Sequence, residues 1–294
     1  MRVSQRWLIQ SAVERLHQNQ EALEERRTQI ASGRRLHRPH DDPQGVQQAL
    51  NLRAALSSVQ SHLRNLDFSR DWMDATDASL GSLAEVLGSA RLTAVQAANE
   101  TLSASQRLSF AAAVREQFKQ IGEIANTAHR GQYLFAGYRV STQPFAVDPD
   151  TLTATYEGDS GSISHEIEPG TCMVVNVSGD APAFQAAFKA VADLVTALET
   201  NDTAAIREAI ASLDNATDMV LLEQATIGAR AKVLEEARSR LQEFEINLRS
   251  LLSRTEDTDM AQAILESGSY EMGYQATLTA MSHILPRSLF DYLG

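Results

Sequence analysis

Four apolar residues, Ile9, Leu16, Leu23 and Ile30, recur every seven positions near the start of the chain, with Ala12 and Val13 between them. Glu and Arg occupy much of the rest. A repeat of this kind keeps one narrow apolar line on one side of a helix. Such a line cannot bury itself, and an isolated helix gains too little per residue to offset the cost of ordering it. Residues 3–32 are therefore predicted to form a helix that needs a partner. The far end of the sequence supplies a candidate. After the break "RTEDTD", a second stripe runs through Met260, Ile264, Tyr274, Leu278, Met281 and Leu285. Before that break, Leu234, Ala237, Leu241, Phe244, Leu248 and Leu251 follow a seven-residue repeat. The two terminal stripes can cover each other. At 1.5 Å per residue, a 30-residue terminal helix is about 45 Å long.

The segment "IASGRRLHRPHDDPQGV", residues 30–46, joins the first helix to the next. Gly33 stops the first helix. Asp42 supplies a side-chain acceptor at the new N-terminus, and Pro43 presets the first turn. Leu50, Ala54, Leu56, Leu63, Leu66 and Trp72 then run on, and Gly81 and Gly88 weaken the helix without ending it. "NETLSASQRLSF" interrupts the run, with Ser103 as the cap of a further helix carrying Leu108, Val114, Phe118, Ile121 and Ile124. That helix ends near "AHRGQYLFAGY". Residues 139–182 differ in texture: "TATYEGD", "SISHEIEPG" and "CMVVNVSGD" are short β-branched runs divided by Gly, Asp and Pro, the pattern of hairpins. "FQAAFKAVADLVTALETND" returns to an amphipathic helix that Asn201 and Asp202 end.

These signals predict a mainly α protein. Both termini form an elongated antiparallel helical bundle or coiled coil, and a small β-hairpin-rich domain is inserted. The expected divisions are 1–40 with 255–294, 41–138 with 183–254, and 139–182.

Composition narrows the function. The net charge of −12 argues against general affinity for nucleic acid, because phosphate binding needs surplus positive charge. The charge is uneven. Residues 1–40 carry eight Arg against four Glu, a net +4, so the remainder carries −16. A basic end on an acidic body suits self-association or an acidic partner. Aromatic residues make up 6%, few for a deep ligand pocket. Cys172 is the one cysteine, so no disulfide forms within the chain. The first twenty residues lack an apolar core of signal-peptide length, and no run is long enough to span a membrane.

Three clusters invite chemistry. His37, His40, Asp41 and Asp42 are able to bind zinc by type, but Pro39 prevents a helix that would align the two histidines, and helix punctuation explains the stretch better. "GDSGS", 158–162, resembles the loop around a protease nucleophile. A Ser160 hydrolase would need a base and an orienting acid on a rigid scaffold, and turn chemistry accounts for these residues. Asp71, Asp74 and Asp77 fall on one helix face and read as a solvated, salt-bridging surface. No catalytic, cofactor or metal residues are assigned. A coiled-coil signalling adaptor remains an alternative that predicts a stable helical dimer.

Several separated motifs carry a resemblance. "IASGRRLHRPHDDPQGV" resembles the N-terminal signature of the bacterial flagellin superfamily, and "NLDFSRDWMDATDASLGSLAEVLGSARLTAVQAANETLSASQR" resembles the helix that follows it there. "GQYLFAGYRVSTQPF", the start "MRVS" and the ending "DTDMAQAILESGSYEMGYQATLTAMSHILPRSLFDYLG" resemble members at the hook–filament junction more than the filament subunit, which is the alternative. The likeness covers about 1–145 and 200–294. It implies a structural protein outside the cell, exported unfolded through the flagellar type III apparatus with its chaperone and without a cleaved signal peptide. It implies a ring of identical subunits between the hook-side junction protein and flagellin, with terminal helices that order in the polymer core. Partners would be proteins only, with no nucleic acid and no membrane insertion. The assembly contacts expected are Ile9, Leu16, Leu23 and Ile30 with Met260, Ile264, Tyr274, Leu278, Met281 and Leu285. Gly33, Asp42 and Pro43 set the joint, and Arg34 and Arg35 are expected to meet acidic residues of adjacent subunits.

Overall fold

The computed structural model describes residues 2–38, 42–168 and 170–284. Two compact units emerge: Met1–Ser58 with Phe244–Gly294, and Val59–Glu243.

The first unit holds α1 (Arg2–Ser32), α6 (Met260–Ile284), the start of α2 (Pro43–Ala97) and the end of α5 (Thr203–Glu256). α1 packs along α6. Arg26 pairs with Glu266 at 2.9 Å, and Asn19 lies against Gly273, so the two helices run antiparallel. Leu23 is buried in this seam, and Leu16 and Ile30 are half-buried. The seam is narrow, as a single heptad line dictates.

The second unit is built on the remainder of α2 and α5. Val59, Leu66, Met73, Leu80, Leu87 and Ala94 on α2 are all buried and fall seven apart. So do Ile206, Leu213, Val220, Ile227, Leu234 and Leu241 on α5. These are coiled-coil seams. Ion pairs link the two helices: Arg70–Glu235 at 3.2 Å, Arg238–Asp67 at 3.0 Å, and Arg91–Asp214. Low residue numbers on α2 meet high ones on α5, so this pair is antiparallel too.

α3 (Ala104–Ala125) opens on a capping box: the Ser103 hydroxyl accepts from the Gln106 amide, and the Ser103 amide donates to Gln106 Oε1 at 2.9 Å. α4 (Pro182–Glu199) begins on proline and packs on α3. Asn201, at φ 57°, ends the connection, and Asp202 caps α5 through the amides of Ala204 and Ala205.

Three antiparallel hairpins complete the unit. β1 (Ala128–His129) pairs with β2 (Gln132–Tyr133), β3 (Phe145–Asp148) with β4 (Thr153–Tyr156), and β5 (Ser164–Glu168) with β6 (Thr171–Val174). The first lies before residue 139. Arg130 and Gly131 both take positive φ, at 51° and 81°, and fold 128–133 into a tight two-residue turn. Phe145 on β3 meets Phe184 and Phe188 of α4 and Tyr156 of β4, with ring centroids 5.2–5.5 Å apart. Phe135 stacks on Phe184 at 4.7 Å. The hairpins are thus pinned to the helices by an aromatic core.

Candidate assembly surface

The joint after α1 is closed by its own chain. Gly33 takes φ +71°, where glycine is favoured, and its amide donates to the Gln29 carbonyl. Asp42 accepts from the Gly45 amide at 2.9 Å and from Arg35 at 3.3 Å. These contacts, the amide first, hold the Asp42 carboxyl below the usual carboxylate range. Pro43 opens α2. Arg34 and Arg35 do not stand free for neighbouring subunits. Arg34 pairs with Glu256 at 3.4 Å, and Arg35 with Asp42. The expectation that they reach acidic residues of adjacent copies concerns the assembled protein; within one chain their partners are Glu256, at the end of α5, and Asp42. His37 lies 2.7 Å from the Ser32 hydroxyl through Nε2.

α6 presents two apolar faces. One covers α1: Ala263 is buried, and Tyr270, Tyr274 and Met281 are half-buried. On the other side Ala261, Leu265, Gly268, Met272, Ala276 and Thr279 form a continuous exposed line without a charge. Met272 is nine residues from Ala263, which places it about half a helical circle away. Leu265 is 75% and Met272 68% exposed. Met260, Ile264 and Leu278 lie between the two faces and are exposed. On α1, Trp7 is 70% exposed. The Ile9 side chain and Leu285 lie outside the described residues.

The structure therefore splits the predicted stripe. Leu23 is buried and Leu16, Ile30, Tyr274 and Met281 are half-buried on the paired helices, whereas Met260, Ile264 and Leu278 are exposed at the edge of the seam. Sequence reasoning missed Leu265 and Met272. The signal was present, since α6 holds apolar residues at more positions than one stripe requires.

The other clusters are engaged in local contacts. The Asp159 carboxylate accepts from the amides of Tyr138 at 2.7 Å and Gly161 at 2.9 Å, so "GDSGS" is a turn braced by its aspartate. The Tyr138 amide above all depresses the Asp159 carboxyl. Ser160 is exposed, and His165 is engaged elsewhere, with Nδ1 2.7 Å from the Ser69 hydroxyl. Asp74 is held by Arg70 through a forked contact at 2.8 and 2.9 Å, and Asp71 pairs with Arg130. Among the described residues no three His, Cys, Asp or Glu side chains gather as metal ligands, and no helix is long and apolar enough to cross a membrane. His40 and Asp41 lie outside those residues.

An α-helical protein whose α1 and α6 pair, and whose α6 keeps an exposed apolar line among the described residues, is organised around contacts between helices. Comparison with known proteins shows what this chain resembles. Residues 3–140 match the bacterial flagellin N-terminal helical region. The chain is 30% identical over 187 residues to flagellar hook-associated protein 3 of Escherichia coli, across 63% of this chain and 58% of that protein. It is 23% identical to flagellar hook-associated protein 3 of Salmonella typhimurium across 99% of both. The fold is shared with the crystal structure of Bacillus cereus FlgL, at a TM-score of 0.61 and 19% identity, over 69% of this chain and 99% of that one. Over residues 3–140 the chain is thus similar to the bacterial flagellins, and over more of its length to the hook-associated proteins.

Proposed function

We propose that this chain is a structural axial subunit of the bacterial flagellum, forming a ring of identical copies between the hook-side junction protein and the flagellin filament. The observation that carries this reading is α6. It carries an exposed line through Leu265, Gly268, Met272 and Ala276, on the side opposite the buried Ala263 that α1 covers among the described residues. Exposed apolar surface on this scale is an interaction surface, and neighbouring subunits would supply the missing cover. Relatives named as hook-associated protein 3 support the junction rather than the filament as the place of assembly. In this reading the predicted stripe residues and the Leu265–Met272 line are helix contacts of the assembled core. The chain reaches its place outside the cell through the flagellar type III apparatus and its chaperone.

Immunogold labelling of intact flagella with antibody to this chain tests the reading. Gold confined to a narrow band where hook meets filament is the expected result. Label along the whole filament would identify a filament subunit instead. Label absent from the flagellum would remove the proposal.

A further inference from the structure

Two breaks in the chain lie side by side within the first unit: the joint 33–42 between α1 and α2, and residues 257–259 between α5 and α6. They are stitched together. The Arg35 amide donates to the Glu256 carbonyl at 2.6 Å, and the Thr258 amide to the Gly33 carbonyl at 3.0 Å. Arg34 and Asp257 form an antiparallel β-bridge, and Arg35 Nη2 donates to the Thr255 carbonyl at 3.2 Å.

Glu256 sits at the centre of this stitching. It is the last residue of α5 and only 5% exposed. Its carboxylate meets Arg34 of the joint and Arg53 of α2. Local physics disfavours a carboxylate at that position. The C-terminus of a helix carries partial negative charge, and burial strips the carboxylate of water. Helix formation does not account for the residue, but two arginines from 203 and 222 positions away do. A residue that breaks the local rule and is compensated from far along the chain marks a site under a constraint beyond folding of its own helix.

We propose that Glu256 is a latch. It locks the two breaks into one joint and so fixes where the α1–α6 seam begins. That seam is a thin support, because it includes the polar residues Asn19, Arg26 and Gln29 and uses one face of α6. With the carboxylate engaged, α1 and α6 are held side by side in one register. With it released, both breaks move together and the pair loses its fixed start. The consequence for the flagellum rests on the reading above: the latch would present the terminal pair in the register that incorporation needs.

Amide hydrogen exchange on the full chain tests the latch, comparing wild type with Glu256→Gln, Arg34→Gln and the double variant. Glu256→Gln should speed exchange at Arg35 and Thr258 at least tenfold and leave amides of 59–243 unchanged. The double variant should exchange no faster than Glu256→Gln alone, since both remove one interaction. Unchanged rates at Arg35 and Thr258 would overturn the proposal. So would equal acceleration throughout the chain, or full additivity of the two variants. Glu256→Asp keeps the charge and is expected to recover part of the protection. The exchange result stands apart from the immunogold result: a latch that opens in a chain absent from the junction would sink the flagellar reading and leave the latch intact.

Discussion

Arg107 Nε donates to the carbonyl of Ala97, the final residue of α2, at 3.0 Å. The same guanidinium reaches the Asn99 carbonyl at 2.8 Å and the Asn201 side-chain oxygen. Arg107 is buried, and a cation there complements the negative end of α2 while tying the α2–α3 and α4–α5 connections together. Its removal leaves the buried Ala97 carbonyl without this donor, takes two further hydrogen bonds from the connections, and empties a buried site. Arg107→Ala is expected to destabilise the chain by roughly 3 kcal/mol, read from the urea midpoint. Arg107→Lys keeps the charge but not the forked geometry, and should fall between the two.

Much of this architecture was legible in the sequence, and the reasons differ from element to element. Asp42 and Ser103 mark helix starts because their side chains act locally, on amides three residues away; Asp202, legible only as an ending, caps α5 in the same way. The heptad at Leu16, Leu23 and Ile30 was visible because a seam must repeat. Arg107 and Glu256 were not visible, because the partners that explain them lie on other elements. The outer face of α6 was obscured for a different reason. A helix with apolar residues on more than one side has no single stripe to pick out, and reading Met260, Ile264 and Leu278 as one line merged exposed edge residues with Tyr274 and Met281, which are half-buried.

Glycines separate backbone strain from crowding. A Cβ at Gly33 would meet nothing within 4 Å, but its φ of +71° is disfavoured for other residues. Gly33→Ala should therefore cost about 1–2 kcal/mol through conformation alone. Gly268, on the open side of α6, has the same free space without the positive φ. Gly268→Ala should raise the stability of the monomer by about 0.5–1 kcal/mol, the cost of glycine within a helix. Thermal unfolding of both variants is the measurement, and equal effects would contradict the assignment.

Acid should weaken the second unit through His165. Burial pushes this imidazole below its ordinary value, where it packs on Phe68 and against the Ser69 hydroxyl. The unfolded chain then takes up the proton at a higher pH than the folded chain does. Stability falls as pH drops through the ordinary histidine range near ~6.5, and levels off once the folded form also protonates. Urea unfolding between pH 7 and 5 should show this slope. His165→Gln removes the titration and should reduce it. An undiminished slope in the variant would assign the effect to other groups.

The outer face of α6 gives the sharpest contrast between folding and assembly. Leu265 and Met272 are exposed in the single chain, so Leu265→Glu and Met272→Glu should change monomer stability by no more than about 0.5 kcal/mol. Tyr274 faces α1, and Tyr274→Ala should loosen the α1–α6 seam and speed amide exchange there. In the assembled core the order reverses. A carboxylate at position 265 or 272 would be buried against a neighbouring subunit without a partner, and incorporation should fall at least about tenfold, the equivalent of 1.4 kcal/mol. Counting gold-labelled junctions in cells that carry each variant reads this directly. Normal labelling with Leu265→Glu and Met272→Glu together would show that this face stays open to water in the flagellum, and the apolar line on α6 would then need another occupant.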